Sequence, residues 1–573
     1  MLKLIKLLLV STLLVSYPLL IQAENYTAKS LIEQFSLPAF QKTVFVDQTI
    51  NDTCQTYSPA KRNCKNGKYL AFSSITQATQ HAIEGNLYLI RAGDYKEVLH
   101  LRHSGKADAY IGFVAYADEI VTLKDINSKE NGDIYGPIWI DQASYNLVSG
   151  INVTGSVGFG RLLNSHHNII NNAQFIESTF WKGGRGKSKR GGLYIAFSHF
   201  NKITNSYFYK GTDSLSLVHS NHNLVENNLM DLAGHDIWNI KCGSFNVIRN
   251  NEFSNKNQKL GAVVDCEAGT MSWHGNGEFS QEKAVLDATK NNLIEHNTFR
   301  DASHYYSTSG GNGIQYAGQN GIIRFNLFYR TNAGLSLTSY KTEAMYNYDN
   351  RIYHNTFHDN WCVGITVSSE VKKQRDNEFV NNILWNNQGL SSSQCGDRSA
   401  KQILFRKTTG NNWFFNNNIG SEKSDKVIGV WAKEKLYSIY DYEGSYLPVQ
   451  FDQNIAANPL FMDEKTDNYQ LQKNSAMIDS GAFLSEVESH SGSGFRLKVK
   501  DASYFYDGFS IQGEQGDLIQ IKGAKQTARI INVHYQSNEL TLDRSLTWFE
   551  GDLITLIYKG DAPDIGAFEY SNN

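Results

Sequence analysis

One eight-residue pattern, written many times, constrains this chain more than any other feature. It reads "NVIRNNEF" at 246–253, and near-copies read "NLVENNLM" (223–230), "NLIEHNTF" (292–299) and "NRIYHNTF" (350–357). Further copies start at residues 168, 201, 377 and 412, one with Gly in place of the first Asn starts at 321, and a weaker one starts at 146. Successive starts differ by 22, 33, 22, 23, 46, 29, 29, 27 and 35 residues, and the 46 reads as twice 23. The basic step is 22–23 residues, with insertions in the longer intervals. A fixed period of this length signals a solenoid, in which each unit buries its apolar face only against its neighbours. Apolar residues alternate within each copy and no 3.6-residue period is present, so the units are built from short strands. Three strands and three turns fill such a step.

The fold expected is therefore all-β, a parallel β-helix. Equivalent residues of successive coils then stack about 4.8 Å apart. Asn tolerates the left-handed backbone of tight turns, and its amide can bond the Asn above and below. Asn228, Asn251, Asn297, Asn326, Asn355 and Asn382 share one place in the repeat and should form such a ladder. Phe175, Phe208, Phe253, Phe299, Phe328 and Phe357 share another and should stack in the core. Both sets are architectural rather than catalytic.

Composition supports this reading and narrows the partners. The 573 residues include 46 Gly, 30 Phe and 31 Tyr but only 7 Pro, a turn-rich, aromatic-rich balance. With 54 Lys and Arg against 57 Asp and Glu, the net charge of −3 argues against a general nucleic-acid binder. Residues 1–23 combine Lys3 and Lys6, a Leu- and Val-rich run and a small-residue end at Ala23. That is a secretory signal peptide, and no second apolar run could span a membrane. The mature chain is expected to be a monomer that is secreted, periplasmic or at the cell surface of a bacterium. Six Cys in an exported chain, without a Cys-x-x-Cys pair, point to disulfides rather than zinc. Cys242 and Cys266 lie about one coil apart and should staple neighbouring coils. Cys54 should pair with Cys64. Cys362 and Cys395 are the remaining pair, although they occupy different places in their coils.

The repeats between 146 and 420 resemble those of the pectate-lyase-like right-handed parallel β-helix proteins. The stretch "LYLIRAGDYKEVLHLRHSGKADAYIGFVAY" (87–116) resembles the opening coils of exported polysaccharide-degrading β-helix enzymes, the alginate-lyase and chondroitinase-B-like group among them. "NYQLQKNSAMIDSGA" (468–482) and "APDIGAFEY" (562–570) resemble closing elements of bacterial secreted β-helix proteins. Between those two, short alternating strands and Gly-Asp turns read as a small β module. The organisation expected is a β-helix over 24–489, the module over 490–560 and a closing strand over 561–573. The resemblance implies a polysaccharide partner and a carbohydrate-active function. A polysaccharide lyase acting on an acidic, uronate-containing polymer is the leading form. A glycoside hydrolase, a uronate epimerase and a non-catalytic binding protein are its alternatives on the same scaffold.

Long polymers lie along outward strips of a solenoid, so chemistry is sought at outward places one coil apart. Stacking "WNIKC" (238–242) on "AVVDC" (262–266) and "AVLDA" (284–288) places Lys241, Asp265 and Asp287 in one column. Such a column suits β-elimination, with Lys241 as base, or hydrolysis by the two carboxylates; an ion ladder between coils is the plain alternative. Two carboxylates would raise rather than lower the Lys241 pKa. A calcium ion held by Asp265 and Asp287 would reverse that field. A second candidate is His235 with Asp236, where Asp213 lies at the equivalent place one coil earlier. Arg249 lies one coil after Glu226, so it either pairs with a neighbouring acid or clamps a substrate carboxylate. The basic loop 180–192 carries Lys182, Arg185, Lys187, Lys189 and Arg190 without an acid and invites an anionic polymer. Trp273, His274, Tyr305 and Tyr306 lie in other long turns and offer rings for stacking on sugars. No nucleotide-binding glycine motif is present, so no nucleotide or organic cofactor is expected.

Overall fold

A computed structural model describes residues 28–117, 119–124, 129–130, 133–134, 136–179, 191–265, 289–303, 311–338, 346–368, 374–387, 395, 401–406, 410–430, 436–442 and 449–571. Residues 1–23, expected to be a signal peptide, lie outside the described residues. The chain divides into two compact units, Met1–Ser216 with Leu224–Gly234, and Leu217–Asn223 with His235–Asn573.

In the first unit the expected coils are present, each contributing one strand to each of three parallel sheets. Ile111–Ala115, Asn146–Ser149, Ile169–Asn171, Lys202–Thr204 and Leu224–Glu226 follow one another in the first sheet. Gly93–Tyr95 through Leu229–Asp231 form the second, and Leu99–Leu101 through Leu193–Ala196 the third. The helix Ala28–Phe35 seats Leu31 and Phe35 against Leu87, Leu147 and Ile169. The Cys54–Cys64 disulfide is present nearby in sequence.

The second unit repeats the design. Its first sheet runs from Val247–Arg249 through Leu293–Glu295, Ile322–Arg324, Arg351–Tyr353, Asn377–Val380 and Asn412–Phe415 to Val449–Asp452. Phe253, Phe299, Phe328 and Phe357 stack inside it with ring centroids 4.6–5.0 Å apart and no exposure. The Asn ladder is complete from Asn251 through Asn297, Asn326, Asn355, Asn382 and Asn417 to Asn454. Each donates its backbone N–H and its amide to the next Oδ1 at 2.9–3.0 Å. A buried amide that meets all its partners in this way removes a desolvation cost that each coil would otherwise carry.

Two expectations about the coils change. The left-handed residue is the one before the ladder Asn: Asn250, His296, Phe325, His354 and Asn381 all have φ of 50–55°. The ladder Asn is used for its hydrogen bonds alone. The 46-residue step is also a single coil. Asn246 donates directly to Asn292, and Val247 pairs with Leu293. In the third sheet the strand Gly261–Val264 pairs with Asn312–Tyr316, so residues 266–288 are one long insertion.

Beyond the coils, six strands between Ser485 and Leu556 form an antiparallel sheet. Their order is Ser485–Glu486, Leu553–Leu556, Leu518–Ile521, Thr527–His534, Glu539–Trp548 and Gly492–Lys498. The following segment was expected to be a closing strand. Its described part, 561–571, contains no strand. It is fixed instead by single bonds, Gly566 N–H to the Asn381 carbonyl and Ala567 N–H to Thr356 Oγ1.

Candidate functional site

Side chains of the third sheet alternate between core and outside. In the strand Trp238–Lys241 of the second unit, Trp238 and Ile240 point inward, so Asn239 and Lys241 point outward. The register carries the Asn239 place through Ala262, Gln315 and Ser336 to Thr366. All five are buried although they face away from the core. Segments 266–288, 304–310, 339–345 and 369–373 adjoin the strands of this sheet in sequence and all lie outside the described residues. Small and polar outward residues beside long insertions are the setting in which a solenoid can hold a polymer.

At the rim of this face stands a compact polar group. Trp238 pairs with Gly261 and Gly261 with Ile314, so the residues two places earlier, Asp236, Lys259 and Asn312, form a column. Asp236 is 2% exposed, with His235 Nδ1 and Lys259 Nζ each 3.4 Å from its Oδ1. Lys259 also donates to Gln315 Oε1 at 2.9 Å. Asn255 fixes the backbone on both sides, donating to the His235 and Lys259 carbonyls. Asn312 Oδ1 is buried and accepts no hydrogen bond among the described residues. His235 keeps 22% of its side chain exposed, so the imidazole is the member of the group that solvent or substrate reaches. A carboxylate held against an imidazole stabilises the imidazolium form, as a general base requires. The ammonium beside it competes with any metal ion for the same carboxylate.

Of the residues read from the sequence, His235 and Asp236 belong to this group. Lys259 was missed, although it stands 23 residues after Asp236, one coil step. The expected column of Lys241, Asp265 and Asp287 is not formed. Lys241 pairs with Val264, which leaves Asp265 opposite Cys242. The sequence alignment had matched the two cysteines, 24 residues apart, whereas the coil step here is 23. Asp265 is fully buried and accepts from Thr289 N–H, Gln319 Nε2 and Tyr346 N–H at 2.9–3.0 Å. Both its oxygens face N–H donors, so it does not fit a calcium ion. Asp287 lies outside the described residues, and the strand next to Gly261–Val264 is Asn312–Tyr316 rather than 284–288.

Arg249 is not a free clamp either. It donates to Glu295 at 2.6 Å and to Glu514 at 2.8 Å, and Arg324 continues the row to Glu295 and Asp517. Burial pushes the Glu295 carboxyl up, but the charges of Arg324 and Arg249 outweigh it and hold the carboxyl at about 2. These ion pairs fasten the six-stranded sheet to the coils.

Cys362–Cys395 is formed, and Cys242 is disulfide-bonded; Cys266, its expected partner, lies outside the described residues. So do Lys182, Arg185, Lys187, Lys189, Arg190, Trp273, His274, Tyr305 and Tyr306.

Residues 179–393 match the family described as "Periplasmic copper-binding protein (NosD)". No curated protein matches the chain. Among solved structures, the pectate lyase Pel9A is 13% identical, with a TM-score of 0.40, over 79% of this chain and 95% of that one. The alginate lyase from Paenibacillus sp. str. FPU-7 is 12% identical, TM-score 0.29, over 67% of this chain and 96% of its own. The A-module of mannuronan C-5 epimerase AlgE4 from Azotobacter vinelandii is 13% identical, TM-score 0.36, over 65% and 88%.

Proposed function

We propose that this chain is an exported, carbohydrate-active β-helix protein that cleaves an acidic polysaccharide by β-elimination at the outward third-sheet face of its second unit. The observation that carries the reading is the His235–Asp236–Lys259 group, largely buried at the rim of a small, polar outward face. No helix among the described residues is long and apolar enough to cross a membrane, which agrees with export. The family described as periplasmic agrees as well.

In the proposed reaction His235 takes the proton next to the uronate carboxyl group. The released electron pair forms the new C=C bond, the bond to the glycosidic oxygen breaks, and that oxygen leaves with a proton from the imidazolium or from water. Asp236 stabilises the imidazolium. The outward Lys241 supplies the positive charge that the carboxylate needs as it gains electron density, while Lys259 holds Asp236 in place. The copper of the matched family's description has a weaker basis here, because Lys259 already neutralises Asp236. The test is incubation of purified protein with a panel of polyuronates, following the absorbance of the unsaturated product. Accumulation that His235→Ala removes supports the reading. Cleavage without unsaturation favours a hydrolase, and no conversion of any member of the panel rejects an enzyme of this class.

A further inference from the structure

A second recess of about 790 Å³ opens in the same unit, where the six-stranded sheet meets the first sheet of the coils. That volume lies within the usual range of pockets for small ligands, about 300–1,000 Å³. Its floor is the Arg249–Glu295–Arg324–Asp517 row, which is saturated by its own ion pairs. Its walls are different. On the coil side His296 and Phe325 stack face to face, with centroids 4.9 Å apart and planes within 6°. His296 is exposed and Phe325 half-exposed, so an aromatic edge borders the opening. On the other side stand Gln515, Arg529, Tyr558 and, from the terminal segment, Glu569. Gln470 closes one end and is exposed.

The lining carries Arg249, Arg324, Arg529 and Lys559 against Glu295, Glu514, Asp517 and Glu569, so its formal charges balance. An aromatic edge combined with planar amide, guanidinium and carboxylate groups suits a pyranose: the edge borders the apolar side of the sugar, and planar groups bond pairs of hydroxyls. Balanced charge favours a sugar of little net charge over a phosphate or a nucleotide.

The geometry points to a saccharide-binding subsite in this recess, separate from the His235 face and suited to a neutral sugar unit or branch of the polymer that the coils process. It rests on the carbohydrate reading above, and the experiment separates the two. Full-length protein is run by affinity electrophoresis through gels containing soluble polygalacturonate, alginate or xylan. The variants are Gln470→Ala with Tyr558→Ala, Gln515→Trp to fill the recess from an exposed position, and His235→Ala. The expected result is retardation of wild type by at least one polymer, with about tenfold weaker affinity in both recess variants, or about 1.4 kcal/mol. His235→Ala should lose turnover and keep its retardation. Equal retardation of wild type and both recess variants overturns the subsite while leaving the catalytic reading standing. No retardation of wild type by any of the three polymers overturns the subsite, and turnover in the polyuronate panel then judges the enzyme reading by itself. Unchanged unfolding midpoints in the recess variants exclude misfolding as the cause of lost binding.

Discussion

Two outward faces of the second unit have the same periodic scaffold and opposite fates. On the first sheet, Arg249, Glu295 and Arg324 stand one coil apart, and every charge is consumed by a neighbour or by Glu514 and Asp517. On the third sheet, Asp236 and Lys259 also stand one coil apart, but they pair at 3.4 Å beside a histidine that remains partly exposed. A column of outward charges is therefore not a site by itself. What meets the face decides: on the first, a folded sheet brings Glu514 and Asp517 to the row, whereas among the described residues the third keeps His235 partly exposed. The same comparison explains why Asp265, the acid that directly follows the strand Gly261–Val264, is structural. It has been drawn inward to cap three N–H donors.

The comparison can be broken first at its structural face. Arg324→Ala should destabilise the protein by about 3–5 kcal/mol, because it strands Glu295 and Asp517 as buried, unpaired charges. Urea unfolding measures this, and a loss below about 1 kcal/mol would mean that the row is solvated. Asp265→Ala should cost about 2–3 kcal/mol by leaving buried N–H groups bare. It should leave turnover per folded molecule unchanged, which distinguishes capping from catalysis.

A pH-dependent effect belongs to Glu569. Burial pushes its carboxyl up to about 7, with the nearby Asp564 and Asp479 charges acting in the same direction and the N–H groups of Asp564 and Lys559 opposing. The folded state thus holds this proton more tightly than the unfolded chain, whose carboxyl titrates near 4.5. The resulting stability is complete below the unfolded value and is lost as pH rises through about 7. Glu569→Gln should flatten the stability profile in that window by at most about 1.4 kcal/mol per pH unit. An unchanged profile would place the titration elsewhere. The smallest effect on folding is expected at Lys241→Ala, within about 0.5 kcal/mol, because the outward lysine is partly exposed. Its turnover should fall, and turnover equal to wild type would remove Lys241 from the reaction.

Much of this architecture was legible because a stacked repeat writes its core once per coil. Phe253, Phe299 and Phe328, and Asn251, Asn297 and Asn326, are visible in the sequence for that reason. Lys259 was equally legible at a step of 23, but alignment on Cys242 and Cys266 moved the register by one residue and brought Asp265 outward on paper. In a strand a shift of one residue exchanges the faces. The 46-residue interval misled for a related reason, since an insertion of one coil length looks like a coil. The pairing of Arg324 with Asp517 spans 193 residues and has no periodic signature, so the fate of the first face was not readable.

Turnover of a polyuronate by His235→Ala, set beside Asp265→Ala at matched folded concentration, decides which acidic column carries the chemistry. His235→Ala should lose a factor of about 10² to 10⁴ in rate with its unfolding midpoint unchanged, the contribution expected of a general base. Asp265→Ala should turn over at the wild-type rate. The reverse pattern, with His235→Ala fully active and Asp265→Ala inactive while still folded, would contradict the assignment and return the site to the Asp265 column.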